Sequence, residues 1–383
     1  MSKPTTRSKK YINNETVLFL AFELGAKEWK LGFSTGLGQP ARQRGIRAGE
    51  LGKLQQEIAA AKKRFGLGGE TAVRSCYEAG RDGFWLHRYL EQAGIKNVIV
   101  DSSSIEVNRR ARRAKTDRLD AAKLLQMLIR YHLGDERVWR VVRVPTREEE
   151  DRRLLHREIR TLKKEKTRAI NRIKGLLATQ GIRLKSPWKP IEEELERMRL
   201  WDGTSLPAGL KSRVRREWEQ VQFWEGRLRT LESERRAVLR AGQEVDVEKI
   251  RQLEQLRAIG RQGAWVLVRE FFGWRKFKNR REVGALAGLT PSPYQSGESH
   301  QEQGISKAGN RHVRAVAVEL AWAWLRYQPH SRLTRWYRRR FEKGGPRARK
   351  VGIVAVARRL LIELWRYLET GVLPEGAEFK PVI

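Results

Sequence analysis

The chain has 383 residues, with 80 Lys and Arg against 45 Asp and Glu, for a formal net charge of +35. Such a surplus repels itself unless a polyanion is bound, so nucleic acid is the expected partner and a membrane surface the weaker alternative. No window approaches the ~20 apolar residues needed to cross a bilayer, the basic start lacks the apolar core of a secretory signal, and the single Cys76 excludes an intrachain disulfide or a zinc site of clustered Cys. The chain reads as soluble and intracellular, with Cys76 in the core.

After a basic tail over 1–16, shifts in composition mark an α/β region over 17–144, a charged helical region over 145–250 and a mainly α region over 251–383. In the first, Val17 to Phe22 reads as a buried strand, Gly25-Ala26-Lys27 as a turn, and Trp29, Leu31 and Phe33 as one face of a second strand. The pattern then predicts a helix over Ala48 to Phe65, a strand over Ala72 to Cys76, a helix over Phe84 to Gln92, a strand over Asn97 to Val100, and a closing helix from Ala121 to Arg130.

Carboxylates gather at the ends of these elements. Glu23 follows the first apolar run, Glu78 follows the strand ending at Cys76, and the cationic run of Arg109, Arg110, Arg112, Arg113 and Lys115 stops at Asp117 and Asp120. On a helix the two aspartates share one face of the first turn. Taken as a pair they serve equally well as a cap and a complement to the helix dipole. Joined by Glu23 and Glu78, they match the ribonuclease-H-like arrangement that holds divalent ions for phosphoryl chemistry. An all-oxygen site suits magnesium, with manganese as the alternative. The preceding cations fit phosphate, or else form a solvated face.

In the helical region Leu154, Leu155, Ile159, Leu162, Ile170, Ile173, Leu176 and Leu177 recur at helical spacing. Pro187, Pro190 and the stretch Gly203 to Pro207 break it, and a second long helix is expected from Lys211 to Arg240. A helical hairpin or coiled coil is the natural reading, a solvated spacer the alternative. Further on, Leu256 to Ala264 resembles a helix-hairpin-helix turn, with Ala258 where such turns often carry Gly. Ser296, before Gly297 in a Pro-rich loop, reads as an exposed hydroxyl or a turn serine. Lys307, Arg311 and Arg314 are candidate phosphate contacts, as are Arg338, Arg339 and Arg340 in the cluster Arg335-Trp336-Tyr337-Arg338-Arg339-Arg340. Trp336 reads as helix core, with stacking on unpaired bases the alternative. The six histidines show no ligand pairing, and the nearness of His300 to Ser296 does not make it a general base.

Glu23, Cys76-Tyr77-Glu78-Ala79-Gly80, Lys115-Thr116-Asp117-Arg118-Leu119-Asp120-Ala121, Gly288-Leu289-Thr290-Pro291 with Ser296-Gly297, and Ile305-Ser306-Lys307-Ala308-Gly309-Asn310 together resemble the DEDD-type transposases of insertion-sequence family 110. The likeness covers nearly the whole chain. It implies a RuvC-like N-terminal domain holding Mg²⁺ on Glu23, Glu78, Asp117 and Asp120, a helical coiled-coil region, and a C-terminal transposase domain whose nucleophile is Ser296. The family pattern usually begins with Asp, and Glu23 carries its carboxylate one C–C bond further, about 1.5 Å. The resemblance further implies strand exchange on donor and target DNA through 5′-phosphoserine intermediates, guidance by a structured noncoding bridge RNA, homodimers pairing into a tetramer, and a prokaryotic cytoplasm, at the nucleoid when active. Two other classes fit the residues: a metal-dependent junction nuclease that uses water in place of Ser296, and a noncatalytic RNA-binding regulator indifferent to loss of the acids.

Overall fold

The computed structural model describes residues 16–80, 83–105, 117–184, 191–242, 244, 246–296 and 299–381. They form two compact units, Met1–Pro145 and Thr146–Ile383.

The N-terminal unit is a five-stranded sheet between helices. Its elements are β1 (Leu18–Leu24), β2 (Glu28–Ser34), β3 (Arg42–Arg47), α1 (Leu51–Arg64), β4 (Val73–Glu78), α2 (Trp85–Gln92), β5 (Lys96–Val100) and α3 (Asp117–His132). The strand order is β3-β2-β1-β4-β5. β1 pairs antiparallel with β2 and parallel with β4, and β4 pairs parallel with β5. Leu18, Leu20 and Phe22 of β1 join Leu54 and Ile58 of α1 and Leu86 and Leu90 of α2 on one face. Phe19 and Ala21 join Cys76 and Leu124, Leu125 and Leu128 of α3 on the other. Cover on both faces is the reason β1 is continuously apolar rather than alternating.

The expected hairpin, strands and helices are present within a few residues of their predicted ends. β3 was not foreseen. Its sequence, Arg-Gln-Arg-Gly-Ile-Arg, buries only Ile46, and a charged edge strand of this kind carries little apolar signal.

The C-terminal unit is mostly helical. α4 (Arg147–Asp151) starts at a capping box in which Thr146 and Glu149 bond each other's backbone N–H. There follow α5 (Leu154–Ala178), α6 (Ile191–Arg197), α7 (Ala208–Ala241), α8 (Val247–Glu254) and α9 (Arg261–Leu267), which runs on as a π-turn over Val268–Phe272. α10 (Arg280–Leu286), the hairpin β6 (Pro291–Ser296) and β7 (Ser299–Ile305), α11 (Arg311–Tyr327), α12 (Arg332–Tyr337), a second π-turn (Arg338–Glu342) and α13 (Pro346–Thr370) complete it.

α5 and α7 form the predicted helical hairpin. Ile159, Leu162, Ala169 and Ile173 of α5 meet Val214, Val221 and Leu228 of α7 in two apolar clusters. Flanking ion pairs run Lys163–Glu232, Lys166–Glu225 and Arg172–Glu217, so the partner number falls as the residue number rises, as antiparallel helices require. The second core forms around Trp265, Phe271, Trp324, Val356 and Leu360, from α9, the π-turn that follows it, α11 and α13.

Candidate active site

Two of the predicted acids lie at the carboxyl edge of the N-terminal sheet, where its parallel strands β1 and β4 end. Phe22 pairs with Tyr77 in the parallel register of β1 and β4, and the next residues are Glu23 and Glu78. Side chains alternate along a strand, so Glu23 and Glu78 project to the same face as Ala21 and Cys76, the face that α3 covers. Glu23 is half-buried and Glu78 exposed, and both have interactions with neighbouring groups.

α3 runs back along that face. The Ala121 carbonyl lies 3.5 Å from the point where a Cβ on Gly32 would stand, and Gly32 pairs with Ala21. The Cys76 thiol donates to the Leu124 carbonyl at 3.8 Å, and His132, at the far end of α3, stacks edge-on to Phe19. The N-terminal turn of α3 therefore sits at the carboxyl edge of β1 and β4, and it delivers half-buried Asp120 beside the two glutamates' edge. The backbone of Asp117 opens α3; its side chain lies outside the described residues. Among the described residues no three Asp, Glu, His or Cys side chains are close enough to hold an ion.

Asp101, which no sequence motif marks, directly follows β5 and reaches the same edge, its N–H donating to the Arg140 carbonyl. Cys76 is fully buried, as expected, and burial pushes its thiol well above the ordinary range. Arg109, Arg110, Arg112, Arg113 and Lys115 lie outside the described residues.

In the C-terminal unit Ser296 ends β6 and pairs with Ser299, so the backbone expected to be a Pro-rich loop is a hairpin with Ser296 at its tip. The Ser296 side chain lies outside the described residues. The root of the hairpin is locked by the two quoted motifs: Ser306 N–H donates to the Thr290 carbonyl, Lys307 N–H to that of Gly288, and Asn310 N–H to that of Leu286. Gly288 and Gly309 have φ of 68° and 86°. A Cβ on the first would collide with the Ala308 carbonyl and on the second with that of Leu286, so the backbone approach admits only glycine.

Asn310 also caps α11 through its Oδ1 and donates from Nδ2 to Glu270 at 2.8 Å. Glu270 sits in the first π-turn, fully buried, and accepts from His156 Nε2 at 2.8 Å and from Arg157 Nε and Nη2 at 2.7 and 2.9 Å. Burial acts to raise its carboxyl, but the bonds from His156 and Arg157 outweigh that and hold it well below the carboxylate range. This hub ties α5 to the root of the hairpin. No sequence signal could have found it, because its members lie up to 154 positions apart, from His156 to Asn310.

Lys307 and Arg311 are exposed. Arg314 is turned inward and donates to the carbonyls of Ala287 and Ala308. Arg338, Arg339 and Arg340 are all exposed on the second π-turn.

The pattern of the IS116/IS110/IS902 transposase family matches residues 250–337, which include Glu270 and Asn310 of the hub, the hairpin and both glycine motifs, but not His156 or Arg157. An inferred transposase of Sinorhizobium fredii is 40% identical over 379 residues, covering 95% of this chain and 94% of that protein. The transposase for insertion sequence element IS1111A of Coxiella burnetii is 26% identical over 213 residues, 56% of each chain. The chain belongs to the IS116/IS110/IS902 family, and is thus an insertion-sequence transposase. No helix among the described residues is long and apolar enough to cross a membrane.

Proposed function

We propose that this transposase cuts and rejoins DNA by serine recombination, with Ser296 as nucleophile and Glu23, Glu78, Asp117 and Asp120 as a metal-holding quartet. The observation that carries the reading is the path of α3, which runs antiparallel to β1 and β4 and brings Asp120 to the edge where Glu23 and Glu78 stand. A sheet of order β3-β2-β1-β4-β5, with its first three strands antiparallel and the rest parallel, supports a ribonuclease-H-like, RuvC-like N-terminal domain.

The donor set consists of carboxylate oxygens, which fits a hard divalent cation such as Mg²⁺ or Mn²⁺. Such an ion, when bound, neutralises charge on a scissile phosphate and lowers the pKa of a nearby hydroxyl. The chain's residues do the rest. Ser296 Oγ attacks phosphorus and loses its proton; the 3′-oxygen of the neighbouring nucleotide leaves and takes up a proton, and a 5′-phosphoserine forms. A 3′-hydroxyl of the partner strand then attacks that phosphorus and releases Ser296, so the number of phosphodiester bonds is conserved. Glu23, longer than the Asp usual in the family, moves its carboxylate outward by about one bond length.

Guidance by a structured bridge RNA and assembly of homodimers into a tetramer belong to the same proposal. Their support is the family resemblance, together with a net charge of +35 and a sequence without a base-reading zinc finger. Incubation with element-derived RNA, Mg²⁺ and donor and target duplexes tests the proposal. A protease-sensitive protein–DNA adduct is expected from the wild type and from neither Ser296→Ala nor Asp120→Asn. Metal-dependent free ends without an adduct would instead make the protein a nuclease that uses water, and binding without breakage would overturn the catalytic assignment.

A further inference from the structure

The C-terminal unit carries a surface whose positive charge its own acids do not balance. α12 and the second π-turn fold back along α13, where Trp336 and Phe341 meet edge to face at 5.3 Å. Two guanidinium groups cover this pair, Arg359 at 3.8 Å from the Trp336 ring and Arg340 at 5.9 Å from that of Phe341. Arg338 and Arg339 are exposed on the same turn; on α13 Arg347 is exposed, and half-buried Arg358 lays its stem against Gly284 of α10. Among the described residues none of these six cations is in an ion pair: Glu363 and Glu375 pair with Arg332, Arg335 and Arg366, and the one carboxylate on the turn itself is the exposed Glu342. The mutual repulsion is marked enough that, after burial, the fields of Arg358, Arg332 and Arg340 lower the proton affinity of Arg359.

Arg347 and Arg358 lie eleven residues apart on α13. That is three helical turns, so they share a stripe about 16 Å long, the length of roughly five base-pair steps at ~3.4 Å each. We propose that this face docks the phosphate backbone of duplex DNA without reading its sequence. Guanidinium forks match phosphate geometry. Duplex is favoured over single strands because the ring most suited to stacking on a base, Trp336, is already occupied by Arg359 and Phe341. The proposal rests on membership of a transposase family and is independent of the chemistry at Ser296.

The test is equilibrium binding of the full-length protein to two unrelated random-sequence duplexes over a range of salt. Arg338→Gln with Arg347→Gln removes two exposed cations, and thermal melting of that variant is expected to match wild type. The slope of log affinity against log salt should flatten by about 2, nearly one unit per lost phosphate contact, and equally for both duplexes. Arg359→Lys, which keeps the charge and loses the planar fork, should bind more weakly with an almost unchanged slope. An unchanged slope in the double variant would overturn the proposal, as would a loss confined to structured RNA or to single-stranded DNA.

Discussion

Ala258 has a φ of 76°, in the left-handed region where the Cβ of an L residue crowds the carbonyl oxygen that follows. The sequence had already marked this residue as standing where comparable turns carry Gly, and the backbone gives the physical reason. Ala258→Gly should therefore raise stability by about 1 kcal/mol, read as a higher urea midpoint at unchanged slope. His312 makes a second prediction. Burial, then the fields of Arg160, Arg157 and Arg311, lower its pKa from 6.5 to about 4 against the opposing pull of Glu270. Between those values the unfolded chain takes up a proton that the folded chain refuses, so stability falls as pH drops from 6.5 to 4. His312→Gln should flatten this window in pH-dependent melting. Glu270, whose folded carboxyl is depressed, adds a separate loss that begins below the ordinary carboxylate value of 4.5 and survives that substitution. Individual acids such as Glu23 and Glu78 were legible because each follows an apolar run. The Glu270 hub was not, since a buried Glu and a buried His look like any others until the fold joins them.

Elements were read with uneven success, and the reasons are physical. β1 and β2 stood out because burial on one or both faces imposes an apolar pattern, and α5 and α7 because their contact stripe recurs at helical spacing. β3 and the hairpin of β6 and β7 did not, because Arg42-Gln43-Arg44-Gly45 and Pro291-Ser292-Pro293 resemble loops and are held as strands by their neighbours' backbone. At the hairpin root Gly309→Ala should cost about 2 kcal/mol or more, through its left-handed φ and the collision with the Leu286 carbonyl. Hydrogen exchange should show the loss of protection concentrated over residues 304–310, where Ser306, Lys307 and Asn310 make their backbone bonds. Replacing the hub carboxylate, Glu270→Ala, leaves His156 and Arg157 without their acceptor. Because Arg157 is 41% exposed, the lower end of the range for a broken buried pair applies, about 3 kcal/mol, measurable by chemical denaturation.

On the scale of the whole molecule, the charge surplus of +35 foretold a polyanion partner, and membership of a transposase family makes DNA that partner. The chain divides after Pro145, and the helical hairpin and the family-matched core lie within one compact unit. The chemistry proposed for the chain rests on the acidic quartet and on Ser296. Its most direct test is mass spectrometry of the protein–DNA adduct after digestion with protease and nuclease. A nucleotide bound through its 5′-phosphate to the peptide containing Ser296, formed only with a divalent metal and lost in Glu78→Gln, is the predicted result. A nucleotide on any other residue, or cleaved DNA ends with no peptide attached, would contradict it.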